Sequence, residues 1–321
     1  MRIVSLLPSA TEIVCALGLR DSLVGRSHEC DWPVDVTSLP AVSMARIDSA
    51  GLGSQSIDRA VARAIESGEE LYGIDEAVLD ALDPDLIVTQ SLCTVCAVSG
   101  GTVRALTGRN GRTPAILELE PAGIDGIVES VRVVARAAGV GGAGDDLAAE
   151  LRTRLDEAAA SVRDVTARPV VVVVEWLDPP FAAGHWVPEQ VALAGGTEAL
   201  GRASAPSFRT TWDAVRAASP DVVVLAPCGF RADEVVERAA ADGVLDALAG
   251  TPAARAGRVV AVDANAYLSR PGPRVADGVA LLASVLHPGI APPFADPVAA
   301  IPVSLPSSAA PATDRRSCGS R

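Results

Sequence analysis

The sequence predicts an α/β protein with two lobes, each built on a mainly parallel sheet. The chain has 321 residues, of which 49% are hydrophobic, and this is enough to bury two ordinary cores. Short runs of valine, isoleucine and leucine alternate with helical patterns, which is typical of parallel strands covered by helices on both faces. The alternation stops near residue 121 and restarts after residue 167. We therefore expect one lobe before this interruption and a second lobe after it.

The first lobe is predicted to comprise residues 1–121. Four apolar runs that end in polar or turn residues predict its strands: RIVSLLP (2–8), SLVGRS (22–27), PDLIVTQ (84–90) and PAILELE (114–120). Helical patterns at residues 56–68 and 75–83 lie between the second and third runs. Because apolar residues fill both faces of these strands, the sheet should be covered on both sides.

The N-terminus predicts a strand, a turn and a helix of the folded protein. Pro8, Ser9 and Glu12 interrupt its apolar run, so the segment does not match a secretory signal peptide. Cys15 falls inside the helical pattern and does not mark a lipid anchor. No apolar run approaches the roughly 18–20 residues of a membrane helix. We expect a cytoplasmic protein with reduced thiols and no membrane insertion.

Residues 122–167 are predicted to link the lobes through helices. Residues 122–138 and 145–163 carry apolar residues at helical spacing, with GVGGAG (139–144) between them. This hexapeptide matches the dinucleotide-binding pattern GxGxxG, but that site requires a strand to enter the glycines. Here a helix enters them, so the glycines indicate a break between two helices.

The second lobe is predicted to comprise residues 168–290. Its strands are predicted by three valine-rich runs: RPVVVVVEW (168–176), PDVVVLAPC (220–228) and RVVAVDAN (258–265). The remaining residues, 291–321, are rich in proline, alanine and serine and show no periodicity. Such a composition predicts a disordered tail.

The charge of the chain limits its partners. Its net charge is −13, and it contains no lysine. Binding to nucleic acid requires a dense basic patch to neutralise phosphates, so nucleic acid is excluded as an expected partner. We expect a monomer that binds a small molecule.

Aromatic and polar side chains concentrate at the predicted strand ends, where open parallel sheets bind ligands. Large aromatic rings on loops rather than in the core indicate the walls of a pocket. The candidate ligand-binding residues are Trp32, Glu175, Trp176, Phe181, His185, Trp186, Phe230, Asn265, Tyr267 and Arg270. Alternatives remain for some of them. His185 could be a core histidine bonded to a backbone carbonyl, and Glu175 could form a salt bridge with Arg270 or Arg274.

Thiols and imidazoles at the same strand ends suggest a second kind of site. The candidate metal ligands are His28, Cys30, Cys93, Cys96 and Cys228, a mixture that suits zinc or another soft metal. The spacing of CTVC (93–96) is that of a redox or metal pair. The alternative is that both of its thiols are small buried hydrophobes at a helix start.

Three stretches carry a resemblance to a known family. The opening RIVSLLPSATEIVCALGL, the phrase LDALDPDLIVTQ and the helical stretch between the lobes resemble the cobalamin and ferric-siderophore class of ABC-transporter substrate-binding proteins. The phrases GHWVPE and NAYLSRPGPR are similar to a subgroup described as cobalamin-binding. The likeness covers residues 1 to about 287. It implies two Rossmann-like lobes joined by a long rigid helix, little hinge closure, a corrinoid or iron chelate in the cleft and an ABC permease as partner.

Two hypotheses for function follow. The first is a non-catalytic protein that binds cobalamin or a related corrinoid or metal chelate between its lobes. The second is a cytosolic thiol- or metal-dependent enzyme that uses the cysteine and histidine side chains of the same cleft. The chain contains no GxSxG, P-loop or HExxH motif, which disfavours serine hydrolases, P-loop enzymes and zincins.

Overall fold

The computed structural model describes residues 1–90, 101, 103, 104 and 113–303, and it contains two α/β lobes. The strands of the first lobe are β1 (Ile3–Ser5), β2 (Leu23–Arg26), β3 (Ser43–Ala45), β4 (Tyr72–Ile74), β5 (Leu86–Gln90) and β6 (Ala115–Leu119). Its helices are α1 (Pro8–Ala16), α2 (Ser54–Ser67) and α3 (Glu76–Leu82). The main sheet has the order β2-β1-β5-β6 and is parallel throughout. The predicted sheet of this lobe is therefore confirmed.

The N-terminal segment is confirmed as a strand followed by a helix. Every residue of β1 and of β5 is buried, which explains why these strands show unbroken apolar runs rather than alternation. Proline at the first position of α1 fits a helix start, because that position needs no amide hydrogen. Within the described part of the chain, no helix is long and apolar enough to cross a membrane.

Two long helices join the lobes, α4 (Ile124–Ala137) and α5 (Gly141–Ala160). Gly139 lies between them with a φ of 76°, a conformation that favours glycine. Gly144 faces Ala135 so closely that an added Cβ would lie 2.3 Å from the Cβ of Ala135. The predicted break between the helices is therefore confined to residues 138–140, since Gly141, Gly142 and Gly144 belong to the first turn of α5. The 20 residues of α5 span about 30 Å.

The second lobe contains a larger, mixed sheet. Its strands are β7 (Val170–Leu177), β8 (Pro180–Ala182), β9 (Thr197–Glu198), β10 (Phe208–Arg209), β11 (Val222–Leu225), β12 (Val259–Val262) and β13 (Ala300–Pro302). Its helices are α6 (Val187–Leu193), α7 (Trp212–Ala217), α8 (Ala232–Ala241), α9 (Val244–Ala247), α10 (Pro252–Arg255), α11 (Ala264–Tyr267) and α12 (Val275–Leu286). The order is β10-β8-β7-β11-β12-β13, and β9 pairs with β7. The three central strands are parallel.

One hydrophobic core continues through both lobes. It includes Ile13 of α1, Ile127 of α4, Leu151 of α5, Val173 of β7 and Leu282 of α12, all at most 1% exposed. The helix α5 packs against α4 on one side and against α6 and α12 of the second lobe on the other. A change in lobe orientation would have to break this packing, so the core explains the rigid connection that the family resemblance implies.

The tail predicted for residues 291–321 needs a correction at its start. Residues 300–302 form β13, which pairs antiparallel with β12. Ala299 and Val303 are only 1% and 4% exposed. The segment was missed because an edge strand of three residues that includes a proline carries no apolar periodicity. Residues 304–321 lie outside the described part of the chain.

Candidate functional site

The loops at the strand ends of the two lobes meet in two contact regions. In one region, residues 52–58 of the first lobe contact β7, β10 and α8 of the second lobe. In the other, residues 270–274 of the second lobe contact α1 and the loop that follows β2. Because ligands of open parallel sheets bind outside the carboxyl ends of the strands, the candidate site lies between these loops.

Three aromatic side chains form a surface at the first contact region. Trp176 is the next-to-last residue of β7, Phe181 is its antiparallel partner on β8, and Phe230 follows β11. The rings of Trp176 and Phe230 have centroids 5.9 Å apart and are tilted by 45°. We call these three residues the aromatic cluster. Sequence reasoning predicted all three as ligand-binding, and the structure brings them together.

Two arginines of the second lobe lie over this aromatic cluster. The guanidinium of Arg238 is 3.8 Å from the ring centroid of Phe230, and that of Arg209 is 5.7 Å from Phe181. Cation–π contacts of this kind hold a guanidinium parallel to a ring and shield one face of it. The cluster therefore combines flat apolar surface with fixed positive charge.

Charged residues of both lobes form the second contact region. Arg274 bonds both carboxylate oxygens of Glu12, at 3.0 and 2.5 Å. Arg270 lies 2.5 Å from Asp31 Oδ1 and 3.8 Å from Glu12 Oε1. We call these four residues the interlobe ion-pair cluster. The Glu12 side chain is only 4% exposed, and burial raises the pKa of its carboxyl against the opposing effect of Arg274 and Arg270.

The interlobe ion-pair cluster fixes the positions of Arg270 and Trp32, which were both predicted to bind the ligand. Arg270 was predicted as a ligand partner, but its guanidinium binds Asp31 and the carbonyl of Glu29, so it joins the lobes. Trp32 is 48% exposed and lies 5.3 Å from the guanidinium of Arg274. It lines a cavity of about 310 Å³ whose other walls include Glu12, Cys15, Arg154 and Pro273.

Glu175 precedes Trp176 and has a buried carboxyl group. It accepts hydrogen bonds from the Gly184 amide at 3.3 Å and from the Ser207 hydroxyl. Burial raises its pKa from 4.5 to about 8, and the proximity of Cys228 adds to the shift. The proposed salt bridge to Arg270 or Arg274 does not form, because both arginines bind acidic groups of the first lobe. Glu175 is therefore protonated at neutral pH.

We expect Glu175→Gln to remove a pH-dependent loss of stability. Between its unfolded pKa of 4.5 and its folded pKa of about 8, the unfolded chain releases this proton while the folded protein keeps it. The free energy of unfolding therefore falls as pH rises through this interval. From pH 5 to pH 8 the wild type should lose about 3 kcal/mol more than the variant. Urea unfolding at several pH values measures this difference.

The matched control for this experiment is Glu157→Gln, at an exposed position of α5. It should leave the pH dependence of unfolding as it is in the wild type. Parallel stability curves for wild type and Glu175→Gln between pH 5 and pH 8 would show that the Glu175 carboxyl ionises normally in the folded protein.

Trp186 requires a correction. It was predicted as a wall of the ligand pocket, but its side chain belongs to the hydrophobic core and is 6% exposed. Its indole N–H donates to the carbonyl of Leu268 at 2.7 Å. A tryptophan is readily buried when its polar atom finds such a partner, and here the partner is provided by the chain just after α11.

His185, next to Trp186, lies partly buried with a positive φ of 52°. Its backbone amide donates to the carbonyl of Ala205 at 2.6 Å, and its ring centroid is 5.6 Å from that of Trp186. Burial lowers the pKa of its imidazole. The backbone bond to Ala205 holds the loop before α6 in place, and the role of the ring in ligand binding stays a prediction.

Asn265 and Tyr267 lie on α11 and shape neighbouring loops. The Asn265 side-chain oxygen accepts the Gly229 amide at 3.0 Å, which fixes the loop that carries Phe230. The ring of Tyr267 meets Phe294 edge-on, with centroids 5.2 Å apart. Asn265 therefore acts on the aromatic cluster by positioning Phe230.

The predicted metal ligands do not converge where the structure describes them. Within the described residues, no group of three or more His, Cys, Asp and Glu side chains could hold a metal ion. Cys30 is 1% exposed, lies 3.0 Å from Thr11 Oγ1 and has a pKa raised by burial. His28 Nδ1 lies 2.8 Å from Ser43 Oγ. Cys228 is exposed in the second lobe beside Glu175, and Cys93 and Cys96 lie outside the described residues.

Sequence reasoning missed the groups that connect the lobes. Glu12 and Asp31 were not candidates, although Glu12 interrupts an otherwise apolar helical pattern, and a charge in that position signals a buried partner. Leu52, Ser54 and Asp58 also lay outside every motif. Their role depends on contacts with residues more than 120 positions away in the chain, and no local pattern encodes such contacts.

Comparisons with known proteins agree with this architecture. The model of a family described as periplasmic binding protein matches residues 3–266. A cobalamin-binding protein of Halobacterium salinarum is 28% identical over 294 residues, which cover 89% of this chain and 69% of the relative. A vitamin B12-binding protein of Vibrio cholerae is 24% identical over 283 residues, covering 87% and 86%. The periplasmic heme-binding protein RhuT from Roseiflexus sp. RS-1 has a TM-score of 0.68 and 25% identity, covering 89% of this chain and 97% of that one.

Proposed function

The chain belongs to the periplasmic binding protein family, and we propose that it binds a corrinoid of the cobalamin type, or a related metal chelate, between its lobes. We propose further that it serves as the substrate-binding component of an ABC transporter and delivers the ligand to an ABC permease. The aromatic cluster is the observation that supports ligand binding at this place.

The chemistry of the cluster suits a large planar ligand. Trp176 and Phe181 face each other at the β7–β8 hairpin, and Phe230 follows the carboxyl end of β11. Flat apolar surface of this kind packs against a macrocycle. Asn265 and Glu175 lie at the neighbouring strand ends. The buried Glu175 carboxyl bonds Gly184 and Ser207, so it supports the loop beside the cluster and does not face the proposed ligand.

Two classes of macrocycle are worth comparing. The two relatives cited by sequence are described as binding cobalamin or vitamin B12, whereas the cited structure is described as heme-binding. We favour the corrinoid because both relatives found by sequence are described as binding cobalamin or vitamin B12.

We expect hydroxocobalamin to quench the tryptophan emission of the protein on titration. Replacing Trp176 by alanine should weaken binding by about 2 kcal/mol, roughly 30-fold, because a central aromatic anchor is lost. Calorimetry with hydroxocobalamin and, separately, with hemin measures both affinities on the full-length protein.

The control is Trp212→Phe, a partly buried tryptophan of α7 outside the aromatic cluster. It should leave the affinity within about twofold of the wild type. If Trp176→Ala and the control bind hydroxocobalamin with equal affinity, the ligand site does not include the aromatic cluster. If the protein binds hemin but not corrinoids, the proposed ligand is an iron chelate and not a corrinoid. If it binds neither, the proposed function is wrong.

A further inference from the structure

The segment between β3 and β4 extends from the first lobe to the second. These two strands pair antiparallel, with Ser43 opposite Ile74 and Ala45 opposite Tyr72. The segment therefore begins and ends at the same two-stranded ribbon of the first lobe. Between them lie a loop and the helix α2. The ribbon is separate from the main sheet of the lobe, and the segment is therefore attached at a single place.

Polar contacts hold the front of this segment on the second lobe. Arg238 donates to the carbonyl of Leu52 at 3.0 Å, and the hydroxyl of Ser54 bonds Asp242 at 2.5 Å. One turn further along α2, both carboxylate oxygens of Asp58 bind Arg209, at 3.1 and 3.0 Å. Together these contacts tie α2 and the preceding loop to β10 and α8.

The surface beneath these contacts is the aromatic cluster. The indole N–H of Trp176 is shared between the carbonyls of Ser54 at 3.3 Å and Asp178 at 3.2 Å. Arg238, which binds the Leu52 carbonyl, also stacks on Phe230. The loop before α2 thus lies over the rings that the proposed function assigns to the ligand.

Breaking these contacts costs little free energy. Asp58 is 16% exposed and Arg209 is 58% exposed, so water can take the place of Asp58 on the guanidinium and the pair stabilises less than a fully buried one. Of the residues of α2, only Ser54, Ile57 and Ala64 are buried, so little apolar surface anchors the helix. Gly51, with a φ of 71°, lies just before the contacts, and a glycine can change its backbone angles at lower cost than any other residue.

We propose that residues 51–58 are a detachable cover over Trp176 and Phe230, and that a ligand reaches these rings only after the cover has moved away from the second lobe. The ligand part of this inference rests on the proposed function. The release of the cover is a property of the protein alone and can be measured without ligand. A ligand that binds only the open form associates at a rate proportional to the open fraction.

The test is the double variant Ser54→Ala/Asp58→Ala, which removes the side-chain bonds to Asp242 and Arg209 and leaves the aromatic cluster intact. Stopped-flow mixing with hydroxocobalamin should show an association rate constant about tenfold above the wild type. Arg152→Ala is the control, since it breaks an exposed ion pair with Asp125 far from the cover, and it should leave this rate constant unchanged.

A second measurement follows the cover without ligand. In a Trp32→Phe/Trp212→Phe background only Trp176 and the buried Trp186 remain as emitters. Acrylamide should then quench the double variant at least about threefold more strongly than the background protein, because Trp176 becomes uncovered. This result stands even if no corrinoid binds, so failure of the proposed function is distinguishable from failure of the cover.

The double variant could unfold at the same denaturant concentration as the wild type and show the same acrylamide quenching as the background protein. This result would overturn the proposal that residues 51–58 cover Trp176. Increased quenching combined with an unchanged association rate constant would overturn its role in ligand entry, and the segment would then be a brace between the lobes. Unfolding of the double variant at a much lower denaturant concentration would show that the segment is part of the stable core, which also contradicts the proposal.

Discussion

Replacing Glu12 by leucine is expected to lower the free energy of unfolding by about 3–5 kcal/mol, because it leaves buried arginine without its partner charge. Arg274 loses both of its bonds to the carboxylate, and Arg270 loses the nearby Glu12 Oε1. The arginine side chains are only 17% and 9% exposed. Water therefore cannot replace the lost acceptors without opening the contact between the lobes.

Guanidinium chloride unfolding at pH 7 measures this loss. Leucine has a volume close to that of glutamate, so the effect reports the missing acceptors rather than a cavity. The matched control is Asp125→Asn, which breaks an ion pair whose acid is 88% exposed and should cost at most about 1 kcal/mol. A loss below about 1 kcal/mol in Glu12→Leu would show that the interlobe ion-pair cluster contributes little.

The double variant Glu12→Leu/Arg274→Leu separates the two roles of this pair. Replacing a buried ion pair by apolar side chains is often neutral or stabilising, so most of the stability should return. If lobe orientation depends on the charges, this variant should be stable and yet bind its ligand less well. If the continuous core through α5 sets the orientation alone, affinity should match the wild type.

The fold could be predicted from sequence because its strands are buried on both faces. The run VVVVV in β7 leaves no ambiguity, since four consecutive buried valines, Val171 to Val174, fit only a covered strand. The helix α5 was predicted to begin at residue 145 and begins at Gly141. Its first glycines are poor helix formers, and the close contact with Ala135 explains the glycine at position 144.

The site could be predicted only in part. A position at a strand end indicates where a residue lies in the fold, but it does not indicate which way its side chain points. Glu175 and Trp176 are neighbours, yet strand geometry points them to opposite faces of the sheet. Trp176 therefore meets Phe230, whereas Glu175 turns towards Gly184. Pairs such as Glu12 and Arg274 are 262 positions apart, and their contact follows from how the two lobes dock.

The second large expected effect is a loss of stability when the buried Trp186 is replaced, in contrast to the more exposed Trp176. Replacing Trp186 by alanine should lower the free energy of unfolding by about 3–5 kcal/mol, because it removes a large side chain from the interior and leaves a cavity. The indole is 6% exposed, and the Leu268 carbonyl that accepts its N–H would lose that partner. Replacing Trp176 by alanine should cost much less stability, since its ring lies at the contact between the lobes.

Urea unfolding at pH 7 tests this contrast, with Trp186→Phe as the matched variant. Phenylalanine keeps most of the apolar volume but cannot donate to Leu268, so it should cost about 1–3 kcal/mol for the unsatisfied carbonyl and the smaller ring. The order of stability should be Trp186→Phe above Trp186→Ala, with Trp176→Ala closest to the wild type. A Trp186→Ala protein as stable as the wild type that binds the ligand poorly would place this indole in the ligand site, as the loop position of GHWVPE suggested. Burial in the hydrophobic core and the bond to Leu268 argue for the opposite result. We expect a strongly destabilised Trp186→Ala protein whose loss of binding follows from its loss of structure.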